Sequence, residues 1–117
     1  MITAMIDPET FYSVDIRLGR IVEAEPFEEA RTPAYKLRID FGEAGEKRSS
    51  AQITDLYSPE QITGRKVLAV INLPPKRIAG FVSECLVLGV DSPAGGVALL
   101  SADEDSGGSI PLGTRVY

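Results

Sequence analysis

The stretch from residue 35 to residue 41 constrains the fold most, because its side chains alternate strictly between apolar and polar. Successive side chains of a β-strand point to opposite faces of a sheet. The apolar side chains on one face are Tyr35, Leu37, Ile39 and Phe41, and the polar ones on the other are Lys36, Arg38 and Asp40. The alternation therefore predicts a strand in a sheet with one buried face and one face in water.

Two neighbouring segments are also predicted as strands. Residues 14–22 form a long first strand whose alternation breaks just after Gly19. A glycine at such a break predicts a bulge or a strong bend, and closing a small barrel requires a sharply curved strand. Residues 42–46 supply a turn, and residues 47–53 form the third strand. The polar face of that third strand carries Arg48, Ser50 and Gln52.

The second half of the chain continues as short strands between turns. The apolar run over residues 67–71 predicts a central strand that is buried on both faces and ended by the prolines that follow. Lys76 and Arg77 come after it and are placed in a loop. The remaining strands are predicted at residues 85–90, 97–100 and 110–117.

Two short helices are predicted from the signals at their ends. The first follows Asp7 as the capping residue and has Pro8 at its first position. The second lies between Ser58, a capping residue, and Gly64, a terminating glycine. The acidic, glycine-rich residues 103–109 are predicted as a loop.

The order of these elements, three strands, a helix and two strands, is that of the OB fold. We therefore predict an all-β, five-stranded OB-fold Greek-key barrel with short helices and terminal extensions. The 117 residues correspond to a single domain. Its parts are an N-terminal helical extension over residues 1–13, a barrel over residues 14–101 and a C-terminal extension over residues 102–117.

The composition excludes several kinds of chemistry. The chain has no histidine and one cysteine, Cys85, which excludes histidine-assisted nucleophilic catalysis and the common zinc sites. No glycine-rich phosphate-binding motif occurs. The consecutive acids Asp103, Glu104 and Asp105 are predicted to be solvated and not to bind a metal. We predict a non-catalytic protein without cofactor or metal, and a carboxylate-based enzyme is the remaining catalytic alternative.

Membrane insertion is not expected. No apolar run approaches the roughly 18 residues that a membrane span needs. The N-terminal residues lack the basic and apolar segments of a secretory signal. Cys85 cannot form an internal disulfide and is predicted to be a buried apolar residue. These features favour a reducing, cytoplasmic location.

The net charge of −5 argues against nucleic acid as a partner, because affinity for nucleic acid depends on neutralising phosphates. The basic residues are nevertheless concentrated in residues 34–89, which contain eight bases and six acids. Lys36, Arg38 and Arg48 lie on the two strands that form the usual OB surface for oligonucleotides. The alternative is that these charges only solvate the outer face. No aromatic residue of these strands lies on that face, which argues against stacking of single-stranded bases.

Four segments carry a resemblance to a known family. They are residues 15–21 (DIRLGRI), 34–37 (AYKL), 47–53 (KRSSAQI) and 72–84 (NLPPKRIAGFVSE). With these segments the chain resembles the CsaA family, from about residue 11 to residue 117. CsaA proteins are free-standing relatives of the tRNA-binding OB domain that is attached to some methionyl- and phenylalanyl-tRNA synthetases.

The resemblance implies a homodimeric molecular chaperone, related to protein export, that binds unfolded or export-destined polypeptides and uses no nucleotide cofactor. The domain class implies an alternative function. In that alternative, the protein is a tRNA-binding module that recognises the RNA backbone through the basic face of strands two and three. The two functions could share one surface, because a basic groove can accept either RNA or peptide.

The candidate residues fall into two sets. Those for peptide or RNA binding are Lys36, Arg38, Arg48, Ser50, Gln52, Lys76, Arg77, Phe81, Ser83 and Glu84. Those for the dimer interface are Phe11, Tyr12, Ile110, Leu112, Val116 and Tyr117. Short apolar ends are unfavourable in water, and an isologous dimer would bury them. The alternative is that the second set only caps the ends of the barrel.

Overall fold

The computed structural model describes residues 3–117. Within this range nine strands are accompanied by three short α-helices and one 3₁₀ turn. The strands are β1 (Ile16–Pro26), β2 (Tyr35–Asp40), β3 (Glu46–Ala51), β4 (Lys66–Val70), β5 (Lys76–Ile78), β6 (Phe81–Ser83), β7 (Leu86–Val87), β8 (Gly89–Asp91) and β9 (Val97–Leu99). The helices are α1 (Pro8–Tyr12), α2 (Pro59–Ile62) and α3 (Glu104–Gly107), and the 3₁₀ turn is Gly42–Ala44.

Five strands form one antiparallel sheet that curls into a nearly closed barrel. Their order across the sheet is β3, β2, β1, β4 and β7. Hydrogen bonds bridge the gap between β3 and the segment before β7. The Glu84 amide donates to the Arg48 carbonyl (2.8 Å), and the Ser49 hydroxyl donates to the Cys85 carbonyl (2.9 Å). The prediction of an all-β, five-stranded OB-type barrel is confirmed.

The core lies inside this barrel. The four apolar side chains predicted to face inward over residues 35–41 are all buried, with at most 8% of each residue exposed. They pack with Ile21, Ile53, Ile62 and Val67 from the surrounding elements. Because the alternating residues of β2 are only half-buried, the strand has the two faces that its sequence predicts.

The first strand contains a bulge, but three residues beyond the predicted position. The first half of β1 pairs with β4 and the second half with β2, and the register with β2 shifts between Ile21 and Glu23. The bulged residue is therefore Val22, in the apolar pair that breaks the alternation, and it is not Gly19, near which a bulge or a strong bend was predicted. Gly19 serves close packing instead, because a Cβ atom there would lie 2.6 Å from Cε1 of Phe41.

Lys76 and Arg77 lie in a β-hairpin, so the prediction that they belong to a loop is wrong. β5 and β6 form three antiparallel residue pairs. The turn between them consists of Ala79 and Gly80, with φ angles of 46° and 83°. Positive φ at both positions is the mark of a type I′ turn, for which Asn-Gly is the usual signal. With alanine in the first position, the sequence lacks that signal.

The C-terminal residues pack along β1 without forming the predicted strand. Residues 103–109, predicted as a loop, contain the helix α3. Further along, the Val116 amide donates to the Ile16 carbonyl at 2.9 Å. In the described part of the chain this segment forms one isolated β-bridge, between Arg17 and Arg115. A regular ladder is not built, because a proline and a glycine interrupt the extended backbone.

The strand predicted over residues 85–90 is divided into two. β7 pairs with β4 in the barrel, whereas β8 pairs with β9 in a separate hairpin. Leu88 lies between them, and its amide donates to the Leu68 carbonyl at 2.9 Å. At this break the chain leaves the barrel sheet. It passes through the β8–β9 hairpin and meets β4 again at Leu100, whose carbonyl accepts a hydrogen bond from the Leu68 amide at 3.0 Å.

The two predicted helices are present. Ser58 and Gln61 form a capping box at the start of α2, with hydrogen bonds of 2.8 and 3.2 Å. Asp7 precedes α1, but its side chain makes no capping hydrogen bond. Within residues 3–117, no helix combines the length and the apolar character needed to cross a lipid bilayer.

Candidate binding groove

A groove runs beside the β5–β6 hairpin, and we call it the hairpin groove. It consists of two cavities that both touch β5 and share Ser50, Gln52, Lys76 and Ile78. The larger cavity, of about 540 Å³, is bounded by residues 29–34 and is called the basic half. The smaller cavity, of about 270 Å³, is bounded by the segments at residues 73–74 and 83–86 and is called the apolar half.

Three cations give the basic half its charge. Arg31, Lys76 and Arg77 are exposed, and no acidic side chain of residues 3–117 lies within 4.0 Å of their charged nitrogens. Glu29 also lines this half, but its carboxylate lies 3.6 Å from Nζ of Lys36. The basic half is therefore suited to anionic groups of a ligand.

Arg31 is absent from the predicted set, although the structure brings it beside Lys76 and Arg77. It lies in an irregular segment between β1 and β2, where no periodic pattern indicates which way a side chain points. The only sequence signal that Arg31 could belong to the site is its position close to the start of β2. This position indicates a role in the groove only when β5 is known to lie on the opposite side of the groove.

The apolar half exposes aliphatic side chains beside unused polar groups. Leu73 is 47% exposed and Leu86 is 50% exposed, and Pro74 also lines this half. Within the described residues, the Ser50 hydroxyl and the Gln52 side-chain amide make no hydrogen bond. This combination suits an extended polypeptide, because apolar side chains of the polypeptide can pack on the leucines and its backbone can form hydrogen bonds with the polar groups.

The predicted cations on the outer face of β2 and β3 are each paired with an acid. The pairs, with their N···O distances, are Lys36–Glu29 (3.6 Å), Arg38–Glu46 (3.0 Å) and Arg48–Glu84 (3.8 Å). Arg38 also lies 3.6 Å from Glu23. The hydrogen bond from the Arg38 guanidinium to the Glu46 carboxylate raises the pKa of Arg38. This face therefore presents less free positive charge than its lysine and arginines suggest.

Phe81 lies on the same outer face and does not line the hairpin groove. Its ring packs edge-on against Phe27, with the centroids 5.4 Å apart. Nζ of Lys36 lies 4.9 Å from the Phe27 centroid, and Cζ of Arg48 lies 5.2 Å from the Phe81 centroid. These are cation–π distances. Because β6 packs against β3, it supplies the aromatic ring that β2 and β3 lack.

Ser83 and Glu84 bind the edge of β3. The Ser83 hydroxyl accepts a hydrogen bond from the Ser50 amide at 3.0 Å, and the Glu84 carboxylate accepts one from the Arg48 amide at 2.9 Å. One edge of β3 pairs with β2, and on its other edge these two side chains take the place of a strand partner. A peptide could not add to this edge as a further strand without displacing them.

Cys85 forms part of the wall of the apolar half and is buried. Its burial raises the pKa of the thiol to about 11. The thiol is therefore neutral at physiological pH, and a neutral thiol is a poor nucleophile.

The predicted dimer residues divide into two groups. Phe11, Tyr12 and Tyr117 are 39%, 50% and 94% exposed. The other three are half-buried within this chain: Ile110, Leu112 and Val116. The Arg115 guanidinium donates a hydrogen bond to the Tyr12 carbonyl, which holds the two terminal segments next to each other.

The barrel and its surface groove define a small OB-type binding domain. Residues 16–111 match the family model described as "Putative tRNA binding domain". Among curated relatives, the methionine–tRNA ligase of Bdellovibrio bacteriovorus is 38% identical over 101 residues, which make up 86% of this chain and 15% of that enzyme. The chain thus spans about 15% of the length of the curated relatives it matches.

Two solved structures resemble this chain over almost its whole length. The chaperone CsaA of Bacillus anthracis is 50% identical with a TM-score of 0.87, covering 97% of this chain and 100% of that one. The CsaA chaperone protein of Picrophilus torridus is 45% identical with the same TM-score and the same coverage. The chain belongs to the tRNA-binding domain family and, within it, to the CsaA proteins.

Proposed function

We propose that this protein is a non-catalytic molecular chaperone that holds unfolded or export-destined polypeptides in the hairpin groove. The observation that carries the proposal is the apolar half, where Leu73 and Leu86 are exposed beside the unused amide of Gln52. The names of the two similar structures, both CsaA chaperones, support it.

The groove suits weak and reversible holding. Apolar burial contributes about 25 cal/mol per Å², but an unfolded client loses conformational entropy when it is ordered. The groove is small and lies at the surface, so the net affinity for one segment is modest. Release then requires no energy source, and we propose no nucleotide cofactor.

The dimer remains part of the proposal. Phe11 and Tyr12 pack edge-on at 5.3 Å and stay exposed. Arg115 ties this pair to the C-terminal segment, so the two predicted interface segments form one surface. An isologous contact across that surface would remove the exposed aromatic rings from water. Two grooves per dimer would also let one client bind at two places, which raises the overall affinity.

A second candidate function is tRNA binding, and the unpaired cations of the basic half favour it. Arg31, Lys76 and Arg77 are free to contact phosphates. Binding there should weaken steeply with added salt. The outer face is less suited to binding tRNA, because Lys36, Arg38 and Arg48 are each paired with an acid.

A cytoplasmic location belongs to the same proposal. Cys85 is a free, buried thiol, which suits a reducing compartment. Cell fractionation with an antibody to the protein tests the location, and recovery in the secreted fraction would contradict it.

Suppression of aggregation tests the chaperone function. A denatured client is diluted into buffer with the protein, and light scattering is followed. Leu73→Ser should weaken suppression several-fold, because it removes an apolar contact in the groove. Val90→Ser is the matched control, since Val90 is 53% exposed on β8 and lies outside the groove. Equal suppression by both variants, or none by the parent protein, would contradict the proposal.

A further inference from the structure

The outer face of the sheet places acids of β1 directly opposite cations of β2. Glu23 is the cross-strand partner of Arg38, and Glu25 is the partner of Lys36. The bulge at Val22 produces this alignment, because the extra residue reverses which face of β1 each later side chain points to. After the bulge the two glutamates are exposed.

Arg38 is held from both sides. Its Nη1 lies 3.0 and 3.1 Å from the two carboxylate oxygens of Glu46 on β3. Its Nη2 lies 3.6 Å from Glu23 on β1. Arg48 is the cross-strand partner of Arg38 on the other side. The Arg38 guanidinium would offer a phosphate contact if Glu46 and Glu23 did not already occupy it.

The rest of this face has the parts of an RNA-binding surface. Phe81 offers an aromatic ring between Lys36 and Arg48, and aromatic rings in basic surroundings stack with bases. What the face lacks is free positive charge. A phosphate reaching Arg38 would have to displace Glu46 and would also meet the charge of Glu23.

We propose that Glu23 and Glu46 are specificity-determining residues that keep RNA off the outer face of β2 and β3. Their carboxylates neutralise Arg38 in the folded protein, so the phosphates of an RNA find no free guanidinium at this position of the face. The proposal is independent of what the groove itself binds, because neither glutamate lines it.

The double variant Glu23→Gln/Glu46→Gln tests this role with labelled unfractionated tRNA and fluorescence anisotropy over a salt series. We expect binding about tenfold tighter than for the parent protein at low salt. The slope of log K against log salt should also steepen by about 0.7–0.9, the contribution of one added phosphate contact. The matched control is Glu43→Gln/Glu60→Gln, which changes the net charge equally. In the described residues, Glu43 and Glu60 have no cation within 4.0 Å.

Adding Arg38→Ala to the double variant should return both the affinity and the salt slope to those of the parent protein. The proposal is overturned if the control pair gains as much affinity, if the slope does not steepen, or if the gain survives without Arg38. Single Glu23→Gln, expected to gain about threefold, keeps the test valid if the double variant folds poorly. Aggregation suppression should be unchanged in all variants, and its loss would count against the groove proposal alone.

Discussion

Close packing of two core side chains makes Gly19 one of the most constrained residues of the barrel. A Cβ atom at this position would lie 2.6 Å from the Phe41 ring and 2.7 Å from Cγ2 of Ile39. Both neighbours are fully buried and cannot move without disturbing the core. The sequence marked this glycine as special, but for backbone curvature, because contacts between distant residues are not visible in a local pattern.

Gly19→Ala should therefore lower the free energy of unfolding by about 1–3 kcal/mol, the usual cost of overpacking a core. Urea unfolding followed by circular dichroism measures it. Gly107→Ala is the control, because a Cβ there meets nothing closer than 3.8 Å and should change stability by less than about 0.5 kcal/mol. Equal stability of the two variants would contradict the packing explanation.

The direction of a side chain was predictable where the residues follow a periodic strand. Ser50 on β3 and Gln52, just beyond its end, both line the groove, and alternation over the predicted strand at residues 47–53 had placed them on one face. Alternation also placed Arg38 and Arg48 on the outer face, but it could not show the acids that pair with them. The pair of Arg38 with Glu23 depends on the register between β1 and β2, which the bulge at Val22 sets.

At the scale of elements, the β5–β6 hairpin forms one wall of the groove, and it was missed. Its strands have three residues each, too few for alternation to be recognised. Its turn uses Ala79 at a φ of 46°, a conformation that alanine rarely adopts. In contrast, the strand at residues 35–40 has six residues, and its prediction was confirmed.

A partly buried ion pair helps to fasten the C-terminal extension to the barrel. Nζ of Lys66 on β4 lies 2.7 Å from the Glu104 carboxylate and 3.1 Å from the Ile110 carbonyl. The same carboxylate accepts a hydrogen bond from the Ile110 amide at 2.7 Å. The pair with Lys66, followed by the bond from Ile110, lowers the pKa of Glu104.

Glu104→Gln should lower the thermal unfolding temperature at neutral pH and speed hydrogen exchange in residues 110–116. Because folding lowers the pKa of Glu104, its stabilising contribution is complete above the ordinary value of 4.5. The contribution is lost as the pH falls through the lowered pKa. The difference between parent and variant should therefore disappear in acid. A difference that is constant with pH, or one shared by the control Glu43→Gln, would contradict this account.

At the scale of the whole molecule, the free positive charge is unevenly distributed. Within residues 3–117 six cations have no acid within 4.0 Å, and three of them line the basic half of the groove. The net charge of −5 therefore describes the molecule poorly at this site. This uneven distribution explains why the net charge alone indicated neither the position of the groove nor its positive charge.

The exposed terminal surface predicts a dimer in solution. Phe11→Ser/Tyr12→Ser should shift the protein to monomer, because the variant removes the aromatic rings that the interface would bury. Sedimentation equilibrium over a concentration series measures the association. A parent protein that is monomeric at all concentrations would contradict the proposed dimer, whereas Val90→Ser on β8 should leave the association unchanged.

The most direct test of the account is a map of client contacts by amide NMR on the full chain, titrated with an unfolded polypeptide. The account predicts that the largest shift changes occur at Gln52, Leu73, Lys76, Ile78 and Leu86, along the hairpin groove. Changes confined to the β8–β9 hairpin or to the outer face of β2 and β3, or no changes at saturating client, would contradict it.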